Sequence, residues 1–125
     1  MLRFNMSDTP VIDPEAIEQL RAINPDDGGE FLRELVGIFL ADTPRRIAEL
    51  HTALAAKDAP LLTRAAHSIK GASGNFGALP LAAVAQSIEQ HGKASAFAEA
   101  GAKLPALEAE FARVQAALKE IPTGN

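Results

Sequence analysis

Apolar side chains recur at intervals of three and four along most of the chain, the spacing that gathers them on one side of an α-helix. The last segment is the cleanest, with Leu104, Leu107, Phe111, Val114, Leu118 and Ile121 alternating the two intervals over about five turns. Phe31, Leu35 and Phe39, with Leu32 and Val36, form an earlier stripe; Ile47, Leu50 and Leu54 form another, and Val84, Ala85 and Ile88 a third. Polar punctuation separates them. Asp13-Pro14 and Thr43-Pro44 each pair a capping side chain with proline at the first helical position, and Asp58-Ala59-Pro60 is a looser version. His91-Gly92 reads as a helix stop. Helices are therefore predicted near 14–23, 28–41, 44–57, 59–75, 80–91 and 101–121, with a loop over Gly92–Gly101.

Such lengths on short connections predict an all-α fold: an antiparallel four-helix bundle made by the last four helices, with one or two additional N-terminal helices packed across one end. The expected organisation is a flexible N-terminal segment over 1–12, the helical bundle over 13–121 and a C-terminal tail over 122–125. A length of 125 residues fits one domain with a real core. Ala supplies 25 residues and Leu 14 against 12 for Val plus Ile, a balance that favours helix over sheet.

Charge and composition narrow the function. The net charge is -4, and the five Lys and seven Arg are spread along the chain, which argues against a nucleic-acid-binding surface. No apolar run approaches the roughly 18 residues of a membrane span, and no secretory signal is visible, so the expected location is cytoplasmic. The absence of cysteine excludes disulfides, zinc-thiolate sites and thiol nucleophiles. The three histidines lie 16 and 24 residues apart, which gives no local chelating pair, and no metal site is expected. Gly71 to Gly77 is glycine-rich, but without the order of a nucleotide loop or a strand before it.

The chemistry is concentrated in Ala65-Ala66-His67-Ser68-Ile69-Lys70-Gly71-Ala72-Ser73-Gly74-Asn75-Phe76-Gly77-Ala78. Wound as a helix at about 100° per residue, this stretch puts Leu62, Ala65, Ile69, Ala72 and Phe76 opposite His67, which therefore points outward. Lys70, Gly71 and Gly74 fall within roughly 60° of it and Arg64 lies at a similar angle on the other flank. Each glycine in a helix interior costs about 1 kcal/mol relative to Ala, so Gly71 and Gly74 call for an explanation. Removing side chains beside His67 lets another molecule approach it. Gly77 lies where the helix should end and reads as its cap. A neutral imidazole is a competent nucleophile toward phosphorus, and cations beside it can offset the charge of an attached phosphoryl group. The stripe suits a covalent phosphate carrier.

His67 followed by Lys70-Gly71 and Gly77-Ala78 resembles the signature of histidine-containing phosphotransfer (HPt) domains. The similarity extends to Asp58 and Leu61 upstream, Ile88-Glu89 downstream and the apolar final helix, most of Glu30 to Ile121. The resemblance implies a four-helix bundle that takes a phosphoryl group from an aspartyl phosphate on a receiver domain and passes it to another. It assigns His67 as phosphoacceptor, Lys70 as the phosphate-supporting cation and Gly71 as the docking glycine; the helix face itself adds Arg64 as a second candidate phosphate-supporting cation, and Gly74 and Ser68 as candidates for the partner-docking face. Gln86 or Glu89 would orient the imidazole. Relatives often carry Ala or Ser where this chain has Gly74.

The expected partners are response-regulator receiver domains, including one borne on a hybrid histidine kinase, with no nucleic acid and no membrane. The chain is expected to be a monomer with no cofactor of its own, Mg2+ belonging to the receiver, and to have no kinase or ATPase activity. The alternative reading is a non-transferring adaptor that keeps the bundle and blocks a receiver or kinase. His51 and His91 read as ordinary surface and helix-terminal histidines. Gly28-Gly29 reads as a turn or a weak helix start after Asp26-Asp27, and Arg45-Arg46, in a helix's first turn, is electrostatically ill placed, with service to a partner the lesser reading beside an ordinary surface pair.

Overall fold

The computed structural model describes residues 10–121. It contains α1 (Pro14–Ile23), α2 (Glu30–Ala56), α3 (Ala59–Asn75), α4 (Leu79–Lys93), α5 (Phe97–Ala102) and α6 (Leu104–Glu120), with no strand among the described residues. The bundle is formed by α2, α3, α4 and α6: α3 packs on α2 and α4, and α6 packs against α4 and α2. Of the expected 1–12 segment, residues 1–9 lie outside the described residues, as does the 122–125 tail. Val11 and Ile12 pack against the core.

The caps show why two starts were legible. The Asp13 side chain accepts from Glu15 N, and Asp58 accepts from Leu61 N, each with Pro following in the first turn. Gly28 and Gly29 both have positive φ, and Asp27 is the acid that caps α2: its carboxylate accepts from Gly29 N and Phe31 N, both at 2.9 Å.

Thr43-Pro44 does not start a helix. The two segments expected over 28–41 and 44–57 are one 27-residue helix that runs through Pro44. Pro44 is exposed, so its missing N–H and its ring fall on the solvent side, while Val36, Phe39, Thr43, Ile47 and Leu50 stay buried in one unbroken stripe. Arg46 pairs with Asp42 at 3.3 Å and Glu49 at 3.2 Å, bridging the turns around the break. The argument from the helix dipole for Arg45-Arg46 lapses with this, because both residues lie in mid-helix. Among the described residues, α1 is therefore the one additional N-terminal helix.

Two further boundaries differ. The expected loop over Gly92–Gly101 holds α5, whose Ala100 is buried, and α4 continues past His91-Gly92 to Lys93. Gly92 is the buried penultimate residue of α4, and the left-handed residue that closes the helix is Ser95, at φ 54°, whose N donates to Gly92 O. In the core, Phe39 of α2 meets Phe76 at a ring separation of 5.2 Å and Phe111 of α6 at 5.8 Å.

Candidate functional site

Helix α3 buries Leu62, Ala65, Ala66, Ile69 and Ser73, which turns the opposite face outward. Its end is fixed by a Schellman arrangement: Ala78 N donates to Ser73 O, Gly77 N donates to Gly74 O, and Gly77 has φ +62°. Gly77 also gives room to α1, because a side chain there would run into Asp13, whose N donates to Phe76 O. The sequence-level reading of Gly77 as a cap agrees with this geometry.

The His67 side chain is 66% exposed. Its Nδ1 lies 2.9 Å from Oε2 of Glu89, which reaches across from α4. Between Gln86 and Glu89, the group that meets the imidazole is Glu89; Gln86 is exposed on the same helix. Glu89 is itself buried, with 5% of its side chain exposed. Lys70 Nζ lies 2.7 Å from Oε1 as an ion pair, although that oxygen accepts no well-directed hydrogen bond. Lys93 Nζ lies 3.7 Å from Oε2. One carboxylate thus gathers an imidazole and two ammonium groups.

The Lys70 ammonium holds the Glu89 carboxyl below its ordinary range; burial opposes this, and the His67 ring adds to the lowering. Glu89 is therefore a carboxylate at neutral pH. A carboxylate only accepts, so the hydrogen bond requires the proton on Nδ1 and leaves the Nε2 lone pair of a neutral ring free. Such a ring can attack an electrophilic phosphorus without first losing a proton.

The remaining candidates are distributed around this pair. Arg64 is exposed and lines an open groove of about 420 Å³ with Ala59, Pro60, Thr63, His67, Glu89, Gly92 and Lys93. Gly71 and Gly74 are exposed, and a methyl carbon on either would meet nothing within 4 Å, so neither glycine is required by internal packing. Ser68 is half-buried on the side of α3 turned from Lys70. Sequence reasoning missed Lys93; the signal was its place four residues after Glu89, which puts the two on one face of a helix. His51 bonds to Glu108 on α6 at 3.2 Å, an exposed pair away from the site. Among the described residues, no group of three or more His, Asp or Glu could hold a metal ion, and no helix is long and apolar enough to cross a membrane.

The family model of the Hpt domain matches residues 34–117. The chain is 31% identical over 87 residues to multistep phosphorelay regulator 1 of Schizosaccharomyces pombe; the match takes in 70% of this chain and spans 30% of the length of that curated relative. Among solved structures, histidine-containing phosphotransfer protein B from Pseudomonas aeruginosa PAO1 superposes with a TM-score of 0.81 at 33% identity, over 90% of this chain and 95% of that one.

Proposed function

Because the chain belongs to the Hpt domain family, whose members carry phosphoryl groups, we propose that it is a phosphorelay intermediate with His67 as acceptor. The observation that carries this is an exposed imidazole whose Nδ1 is tied to a buried carboxylate, so that Nε2 faces the visitor. The donor is an aspartyl phosphate on a response-regulator receiver domain. The lone pair on Nε2 attacks phosphorus, the N–P bond forms as the P–O bond to the aspartyl carboxylate breaks, and the Asp leaves as its anion. The ring keeps the proton on Nδ1 and becomes cationic. Glu89, 2.9 Å away, meets that charge. The reverse sequence hands the group to a second receiver.

Lys70 and Lys93 offset the charge of the attached phosphoryl group from the two sides of Glu89, and Arg64 does so from the groove. Mg2+ comes with the receiver, where it offsets charge on the transferring group. The chain contributes acceptor, orientation and charge, and acts as a carrier without kinase or ATPase activity of its own. Gly71 and Gly74, with Ser68 beside them, form the face on which the receiver sits, and the free protein is a cytoplasmic monomer.

The experiment is transfer from a radiolabelled phosphorylated receiver. It should yield an acid-labile, alkali-stable phosphoprotein, and His67→Gln should remove the label. Label that persists in the variant sinks the assignment. Stable binding without any transfer would make the chain an adaptor.

A further inference from the structure

The contact between His67 and Glu89 joins two helices, so its length depends on how closely α3 and α4 approach. Gly92 stands one turn after Glu89 on α4, and Thr63 stands one turn before His67 on α3. At this crossing there is no room for a side chain. A methyl carbon on Gly92 would stand 2.6 Å from Thr63 Oγ1, 3.2 Å from Thr63 N and 3.3 Å from Thr63 Cα. The hydroxyl is the nearest obstacle, and on a β-branched side chain it is held stiffly. The backbone atoms can give way only if α3 moves with them.

The contrast with the outward glycines is informative. Gly71 and Gly74 would each gain a methyl group into open space, whereas Gly92 is buried in the seam that also floors the groove beside His67. Glycine is unfavourable in a helix interior relative to alanine, and here its missing side chain is what lets the helices close. We propose that Gly92 is a positioning residue: closure of α4 onto Thr63 brings Glu89 within reach of His67 Nδ1 and so fixes which ring nitrogen is free for phosphoryl transfer. This rests on the reading of His67 as acceptor. The effect passes through Glu89, and Gly92 itself touches no reacting atom. Parting the helices by a few tenths of an ångström at the crossing lengthens and weakens the 2.9 Å hydrogen bond one turn away.

The test is Gly92→Ala in the full chain. Long-range proton–nitrogen correlation spectra of the imidazole read the populations of its two neutral tautomers, and circular dichroism reads the fold. Potassium phosphoramidate is the donor: its N–P bond breaks, ammonia leaves, and the new bond forms to the ring, with no receiver docking in the readout. The wild type should hold the Nδ1–H form. G92A should shift toward the other tautomer and take up phosphate more slowly by about fivefold, and Thr63→Ala in the same chain should restore part of both. A folded G92A with wild-type tautomer populations and a rate within about twofold overturns the proposal. Should G92A not fold, the T63A/G92A chain is compared directly with wild type, where a partial tautomer shift supports the proposal and none overturns it. Failure of wild type to label at His67 would sink the acceptor reading, while the tautomer comparison still decides the role of Gly92.

Discussion

The buried carboxylate of Glu89 carries more of the site than any other single group, and its charge has a pH signature. Its folded-state pKa is lowered, first by Lys70 and then by His67, against the cost of burial. A group lowered in this way stabilises the fold at every pH above its unfolded value, and that contribution is lost as pH falls from there through the folded value. The stabilisation that Glu89 gives over Glu89→Gln, read as the difference in Tm, should therefore be fully present at neutral pH and shrink as pH falls below about 4.3. A difference that stays flat to pH 3 would show that the carboxylate gains nothing from its cations. Lys70→Ala tests the same hub from the other side. It leaves a buried acid without its nearest partner, so we expect a drop in Tm of about 3 °C together with slower transfer. The sequence could place Lys70 beside His67 by helical rotation. It could not show that the ammonium is shared with Glu89, because that contact crosses from α3 to α4.

At the level of elements, the local signals that succeeded were those satisfied within a few residues: the Asp13 and Asp58 caps, the Gly77 stop and the apolar stripes. Those that failed needed tertiary packing to decide them. Pro44 resembles a helix start in isolation, but the stripe from Val36 to Leu50 is worth more buried whole than divided, and Pro44 is turned to solvent. The end of α4 falls one residue past Gly92, but the left-handed position there belongs to Ser95, and the glycine serves instead the close approach to Thr63. Helix α5 is a six-residue turn with no side-chain cap, too short to leave a period in the sequence. The end of α2 offers a clean measurement of backbone strain. Lys57 adopts φ 54° and ψ 46°, with its N–H and that of Asp58 returning to Leu54 O and Ala53 O. Lys57→Gly removes the left-handed penalty and should stabilise the fold by about 0.5–1 kcal/mol, net of the added freedom of the unfolded chain. Gly77→Ala should do the reverse, costing about 2 kcal/mol, since it adds both the wrong φ and a collision with Asp13 where α1 is anchored. Thermal unfolding of the two variants checks both signs.

For the whole molecule, the question is which surface meets a partner, and the two kinds of glycine in α3 and α4 answer it differently. Gly92 lets the bundle close on itself, whereas Gly71 and Gly74 have open space where side chains would be and so do nothing for the interior. Stability and function should then separate at Gly71. A glutamine there meets nothing within the protein and improves helix propensity by nearly 1 kcal/mol, so Gly71→Gln should raise Tm by a few degrees. The same side chain stands one turn from His67 on the exposed face, where it would hold a receiver away from Nε2. Transfer from a phosphorylated receiver should slow by about tenfold or more, while labelling by phosphoramidate, which needs no docking, should stay near the wild-type rate. A variant slowed equally toward both donors would mean that the ring itself had been disturbed, and one slowed toward neither would move the docking face elsewhere, with the groove between Arg64 and Lys93 as the next surface to probe.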